Sequence, residues 1–218
     1  MWRCAVFLLA LWTGPCLAGP WPREAGTFFL STGLNSEPAA SLYLEYGLGN
    51  DWTVGVDAYG TWTYTGHAAA FASRSFALPS GLQFATEAAV VMRSDGMVAL
   101  DPWGQAYGLG VSGPDLRIGA SLGRGIDIMS GGWATAASSM TFGDVQSQKF
   151  ELTLGVSPSK WSKVYGQLQG THNTWGQIWR AETVAGLKIS DSHEFLLSFN
   201  APFGEGETRI GLQLWQTF

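Results

Sequence analysis

The sequence predicts an all-β chain, an antiparallel up-and-down transmembrane β-barrel of about twelve strands, with ten to fourteen left open by the turn pattern. Three observations predict it. Apolar residues recur at every second position through most of the chain, the period of a strand whose faces meet different surroundings. Charged residues make up only 13% of the chain, no more than the aromatic fraction, beside 29 Gly and 11 Trp. Soluble domains average roughly 25% charged, so much of this surface faces something other than water. Finally, beyond the first turns of the chain there is no run of ~18 apolar residues that would make a spanning helix. Hydrocarbon cannot satisfy backbone N–H and C=O groups, so closed barrels are the remaining spanning structure.

Taken in chain order, residues 1–18 read as a secretory signal. Arg3 supplies the positive start, Ala5 to Trp12 an apolar stretch too short to span a bilayer, and Cys16-Leu17-Ala18 a small-x-small cleavage site. Gly14-Pro15 breaks the stretch before that site. The competing reading, lipid modification at Cys16, is disfavoured by Pro15, where such signals carry a small residue. Both cysteines, Cys4 and Cys16, lie in this segment, so residues 19–218, read as a single barrel domain, carry no thiol and form no disulfide. An acidic balance, −5 at pH 7, with no basic run argues against nucleic acid as a partner. Gly19-Pro20-Trp21-Pro22-Arg23-Glu24 is expected to be an extended periplasmic lead into the first strand.

The expected strands are 25–33, 39–48, 52–63, 68–78, 81–93, 98–111, 115–126, 147–157, 162–172, 177–188, 193–202 and 207–218. Alternation is clearest where Leu42, Leu44, Tyr46 and Leu48 interleave with Tyr43, Glu45 and Gly47, and where Trp52, Val54, Val56 and Ala58 interleave with Thr53, Gly55, Asp57 and Tyr59. It returns in Leu116, Ile118, Ala120 and Leu122, in Phe150, Leu152, Leu154 and Val156, and in Phe195, Leu197 and Phe199. An even strand number puts both ends in the periplasm. The short turns Gly49-Asn50-Asp51, Pro79-Ser80, Gly113-Pro114, Pro158-Ser159 and Ser190-Asp191-Ser192 are then periplasmic. The stretch from Gly131 to Asp144 is assigned to an extracellular excursion, although Gly132-Trp133-Ala134-Thr135 resembles the start of a strand.

A soluble β-sandwich shares the two-residue period. Strand length favours the barrel, since about ten residues is the span of a tilted transmembrane strand. So does the gathering of Trp52, Tyr59, Trp62, Trp103, Trp161, Trp175, Trp179 and Trp215 near segment ends, where interfacial girdles lie.

The last strand places Ile210, Leu212, Leu214 and Phe218 on one face, with Arg209, Gly211, Gln213, Trp215 and Thr217 on the other. In this it resembles the bacterial outer-membrane β-barrel superfamily, whose terminal strand ends in phenylalanine with apolar residues at alternate positions. It departs from that pattern at Gln216, where the family often carries an aromatic residue. The resemblance implies that Ile210, Leu212, Leu214 and Phe218 are read by the barrel-assembly machinery, that the other partner is outer-membrane lipid, and that the location is the outer membrane of a Gram-negative cell. The opening Trp21-Pro22-Arg23-Glu24-Ala25-Gly26 also resembles the mature start of uncharacterised small proteobacterial outer-membrane proteins, which brings no activity with it.

With the apolar face toward lipid, the polar set lines the lumen. It comprises Glu45, Asp57, Glu87, Arg117, Glu151, Glu182 and Arg209, with Gln167, Gln169, Asn200 and Gln213 beside them. Arg or Lys at mid-membrane on the lipid face would cost ~2 to 4 kcal/mol, the reason for this inward assignment. Arg74 fits it badly, because its face also holds Phe76 and Leu78. These lumen groups make either a self-satisfied filling or a narrow passive path for small polar solutes, and twelve strands lie between packed and open barrels. The alternative is an outer-membrane lipid-modifying hydrolase, for which no motif promises an activated nucleophile: His172-Asn173-Thr174 offers Thr where such a barrel would carry Ser, His67 is expected in an exposed loop, and His193 lies on the periplasmic side. A Ser or acid beside His172 in the fold would favour it. There is no His or Cys pair at metal-ligand spacing and no Asp-rich calcium loop. Gly119-Ala120-Ser121-Leu122-Gly123 reads as a strand rather than a phosphate cradle, and no cofactor is expected.

Overall fold

The computed structural model of the chain describes residues 19–97, 109–143, 146–174 and 176–218. The expected signal at 1–18, most of the expected strand 98–111, and Trp103, Asp144 and Trp175 lie outside the described residues. The rest forms twelve antiparallel strands: β1 (Phe28–Asn35), β2 (Ala39–Gly49), β3 (Trp52–Thr61), β4 (Thr65–Ala77), β5 (Leu82–Met97), β6 (Leu109–Ile126), β7 (Gly132–Phe142), β8 (Ser147–Ser159), β9 (Ser162–Asn173), β10 (Gly176–Lys188), β11 (His193–Pro202) and β12 (Arg209–Thr217). Each pairs with its sequence neighbours, and β1 pairs with β12 from Phe29↔Thr217 to Asn35↔Gly211, which closes the barrel.

The closed ladder turns the two-residue period into an inside and an outside. Phe29, Trp133, Val184 and Leu196 are at most 2% exposed, whereas their alternates Phe28, Leu187, Phe195 and Leu197 are exposed. The outer wall is therefore a band of Leu, Val, Ile and Phe. Among the described strand residues, the charged or histidine side chains that share its register are Arg74, Arg124, His172 and His193. Arg74 sits opposite Trp52, with its guanidinium 5.6 Å from the Trp52 ring and 5.3 Å from Phe76. It lies at the strand end beside the β2–β3 turn, and its long stem lies on these apolar neighbours.

The chain reaches twelve strands by a different partition from the expected one. Gly113-Pro114 is no turn. It lies inside β6, an 18-residue strand, where the pairing of β5 with β6 shifts register between Val91 and Arg93. Proline has no N–H for the ladder and is tolerated at such irregularities, so a local turn signal here marks a bulge. Residues Gly132–Phe142 are strand β7, paired with β6 from Ile126↔Gly132 and with β8 from Gly132↔Val156. They are not an excursion, and the connection at 127–131 lies on the rim that carries the β2–β3 turn. The segment was hard to read because its outward residues, Ala134, Ala136 and Ser138, are small or polar and weaken the alternation.

The side-chain assignments at the strand ends change as well. Tyr59 and Trp215 turn inward, away from any girdle: Tyr59 stacks on His67 and Trp215 is 9% exposed beside Phe29. His67 lies within β4, not in a loop. In this barrel Leu152→Arg, at mid-height on the outer wall, is expected to lower stability by ~2 to 4 kcal/mol, read as a shift in the urea midpoint of the protein folded into lipid vesicles.

Candidate luminal site

The rim that carries residue 19 and Phe218 is termed the near rim, and the opposite one the far rim. Side chains that point inward are sorted by height between the two.

At the near rim the wall is apolar. Phe29, Val184, Leu196 and Trp215 form a buried cluster with Tyr43 and Tyr165 packed against it. Phe29 and Trp215 meet edge to face at 5.4 Å, the arrangement that aromatic quadrupoles favour. Trp133 fills the space above Gly155, where a side chain would collide with its indole, and lies 6.1 Å from Tyr165. The charges here are paired: Lys163 Nζ is 2.8 Å from Glu194 and 4.1 Å from the Trp215 ring centre.

Above this layer the wall becomes polar, and the residues singled out in the sequence take their places. Arg117 on β6 reaches Glu87 on β5 at 3.1 Å and Asp57 on β3 at 3.2 Å. Strands β3 and β6 are not neighbours, so this bridge spans the lumen wall. His67 Nε2 lies 3.6 Å from the same Asp57 carboxylate. On the opposite arc Glu151 accepts from Lys149 at 3.0 Å. Gln169 donates to Gln167 at 2.6 Å and to Glu182 at 3.3 Å, and Gln167 donates to Thr153 at 3.2 Å. Arg180 donates to Asn200 at 3.0 Å, while Arg209 pairs with Glu37 at the far rim. Beside them a polar cavity of about 120 Å³ is lined by Asn35, Ser41, Glu182, Ser198, Asn200, Arg209 and Gln213, with Gly33 and Gly211.

Glu45 belongs to neither arc. It lies in the near-rim half, 7% exposed, and accepts from the Tyr43 hydroxyl at 2.7 Å and from the Arg23 guanidinium. Arg23 comes from the segment before β1, which is not the extended lead the sequence suggests. Pro20 is fully buried, and Pro20 and Trp21 lie against Gly123 on β6. Trp21, Pro22 and Arg23 are partly buried, so the segment runs inside the barrel mouth. Alternation gave no means of seeing this, because the partners of Arg23 are remote in sequence and the segment has no strand period. Tyr43, Lys149, Lys163 and Glu194 were also missed, although their positions in the ladder are those of inward residues and strand parity alone would have found them.

Ile210, Leu212 and Leu214 occupy outward positions on β12, and Phe218 closes the seam by backbone hydrogen bonds with Phe28, 3.0 Å in each direction. The histidines stay apart from one another: His67 faces the lumen, the exposed His172 is the penultimate residue of β9, and His193 contacts the hydroxyls of Ser190 and Ser192 at 3.1 and 2.9 Å.

This architecture has known counterparts. The fold is similar to that of the KdgM porin, with a TM-score of 0.66 at 8% identity over 88% of this chain and 99% of that one. The NanC porin gives a TM-score of 0.60 at 8% identity, over 88% of this chain and 98% of that one. An outer membrane channel from Pseudomonas putida F1 gives 0.59 at 10% identity, over 93% and 99%. The likeness is one of fold. No protein-family model and no curated protein sequence matches the chain.

The Arg117 bridge carries a stability consequence. Arg117→Met leaves Asp57 and Glu87 without their shared cation and is expected to cost about 1 to 3 kcal/mol, between the values for exposed and fully buried pairs, because the carboxylates are partly exposed. Adding Asp57→Asn and Glu87→Gln is expected to recover most of that loss in urea titrations followed by tryptophan fluorescence.

Proposed function

We propose that the protein is a bacterial outer-membrane channel that passes small polar solutes. The near rim is then periplasmic, residues 1–18 are an export signal for the Sec route, and the last strand is the feature read by the barrel-assembly machinery in a Gram-negative cell. The single observation that carries the reading is the stratified lumen. Beyond the near-rim cluster its wall carries paired charges and amides around Arg117, Asp57, Glu87, Gln167, Gln169 and Glu182, alongside the apolar Phe71, Ala89 and Val91 of β4 and β5, with a polar cavity beside them. A barrel that needed only filling would be filled by side chains like those of the near-rim cluster, at no cost in desolvated charge.

In this reading Glu45, Asp57, Glu87, Arg117, Glu151, Glu182 and Arg209 line the path. Solutes meet both signs of charge within one layer, and selectivity follows from the balance of the ring. The names of the structural neighbours as porins and a channel support the same reading. The filled near rim favours a second one, a structural barrel with no path.

Planar-bilayer recordings of the purified protein separate the two. The channel reading expects discrete conductance steps. It also expects the Asp57→Asn, Glu87→Gln double variant to move the reversal potential in a salt gradient toward anion selectivity, because two carboxylates leave the wall while Arg117 stays. A protein that shows the gel shift of a closed barrel between unheated and boiled samples, yet carries no current, would leave the structural barrel standing.

A further inference from the structure

The segment before β1 does more than lead into it. Residues 19–24 cross the inside of the near rim from β2 and β3 toward β6 and β7. At one end the Arg23 backbone N–H donates to Thr53 Oγ1 on β3 at 3.1 Å, and the Arg23 side chain pairs with Glu45 on β2. The same guanidinium lies 4.3 Å from the centre of the Phe29 ring. At the other end Pro20 is buried, and a Cβ built on Gly19 lies 3.6 Å from the Thr135 methyl on β7.

The wall is shaped to receive this strap. A side chain at Gly47 would collide with the carbonyls of Arg23 and Glu24. At Gly123 a Cβ would lie 2.6 Å from Pro20 and 2.8 Å from Trp21. Gly125 is the next inward position on β6, yet a Cβ there would meet nothing within 4 Å. Close approach therefore requires glycine where the strap touches the wall, and two residues further on it does not.

The strap lies beside an apolar wall. The aromatic and apolar cluster lines the near rim along β9 to β12, β1 and β2. The strap extends this cover across the mouth, with contacts on β2, β3, β6 and β7. Its root has the geometry of a hinge. Gly26 has φ of +83° with open space around its Cα, and Glu24, Ala25 and Gly26 are exposed while Pro20 is not. The root is held by Gly26 N–H to Gly47 O at 2.9 Å and Gly47 N–H to Thr27 O at 3.0 Å.

We propose that residues 19–24 are an intrinsic gate. Latched by Arg23 on Glu45 and seated on Gly47 and Gly123, the strap closes the periplasmic mouth, and it opens by swinging about Gly26. The inference rests on the channel reading above. In the latched state a solute reaches the polar layer from the far rim and stops above the strap. The Arg23 side chain is withdrawn from water and shares its partner with the Tyr43 hydroxyl, so opening must give up a shielded ion pair and a cation–π contact together.

The test is single-channel recording of the full-length chain and five variants: Arg23→Ala, Gly47→Ala, Gly123→Ala, Gly125→Ala and an internal deletion of residues 20–23. Heat-dependent gel mobility checks that each barrel is closed. The gate expects Arg23→Ala, Gly47→Ala, Gly123→Ala and the deletion to raise the open fraction at least about tenfold, since losing a shielded pair shifts a two-state equilibrium by that factor or more. Gly125→Ala is expected to match the parent. If the parent already conducts and all variants conduct as it does, the strap is no gate, while the channel reading survives. If no variant conducts, the deletion included, and every barrel is closed, the channel reading falls and takes the gate with it.

Discussion

The pairing of β1 with β12 is the contact on which the rest of the structure depends. Without it two strand edges would present unpaired N–H and C=O groups, and in hydrocarbon each such group costs several kcal/mol. The seam runs from Phe29↔Thr217 to Asn35↔Gly211 and is finished by the reciprocal bonds of Phe28 and Phe218. Closure also decides what alternation means. Once the sheet has an inside, Glu45 and Leu44 can no longer exchange surroundings by a one-residue slip without placing a carboxylate in lipid.

Inside the barrel, the arrangement follows from matching bulk to vacancy. Trp133 lies over Gly155, the strap over Gly47 and Gly123, and Phe71 against Gly55. Each large group occupies a place that a neighbouring strand leaves empty by carrying glycine. At these positions glycine serves packing and not a turn. Charge follows a similar rule. The lumen acids are each met by a base, a hydroxyl or an amide, as with Glu45, Asp57, Glu87 and Glu182. Where no partner is at hand on the outer wall, Arg74 settles on Trp52 and Phe76.

Legibility varied with the kind of signal. Strands such as β2, β3 and β8 were readable because their outward residues are mostly large and apolar, as with Leu42, Val56 and Leu152, while Glu45, Asp57 and Glu151 alternate with them inward. The hairpin of β6 and β7 was misread because a Gly-Pro pair inside β6 mimics a turn and because β7 turns Ala134, Ala136 and Ser138 outward where a stronger strand turns leucine. Two errors of opposite sign left the strand number correct. Inward residues such as Asp57 and Arg117 could be named from parity, yet their meeting could not, since 60 positions separate them.

The sequence by itself determined a closed all-β barrel, because composition, strand period and the lack of a spanning helix each follow from local chemistry. It also determined which side of the strongly alternating strands, such as β2, β3 and β8, faces outward, though not that of β4, the strand of Arg74. Only the tertiary structure decided how the lumen is filled: an apolar layer and a strap at one rim, and a charged, amide-rich layer above them. Those features arise between residues that are remote in the chain and brought together by register and closure, and no window of sequence contains both Arg23 and the glycines of β2 and β6 as neighbours.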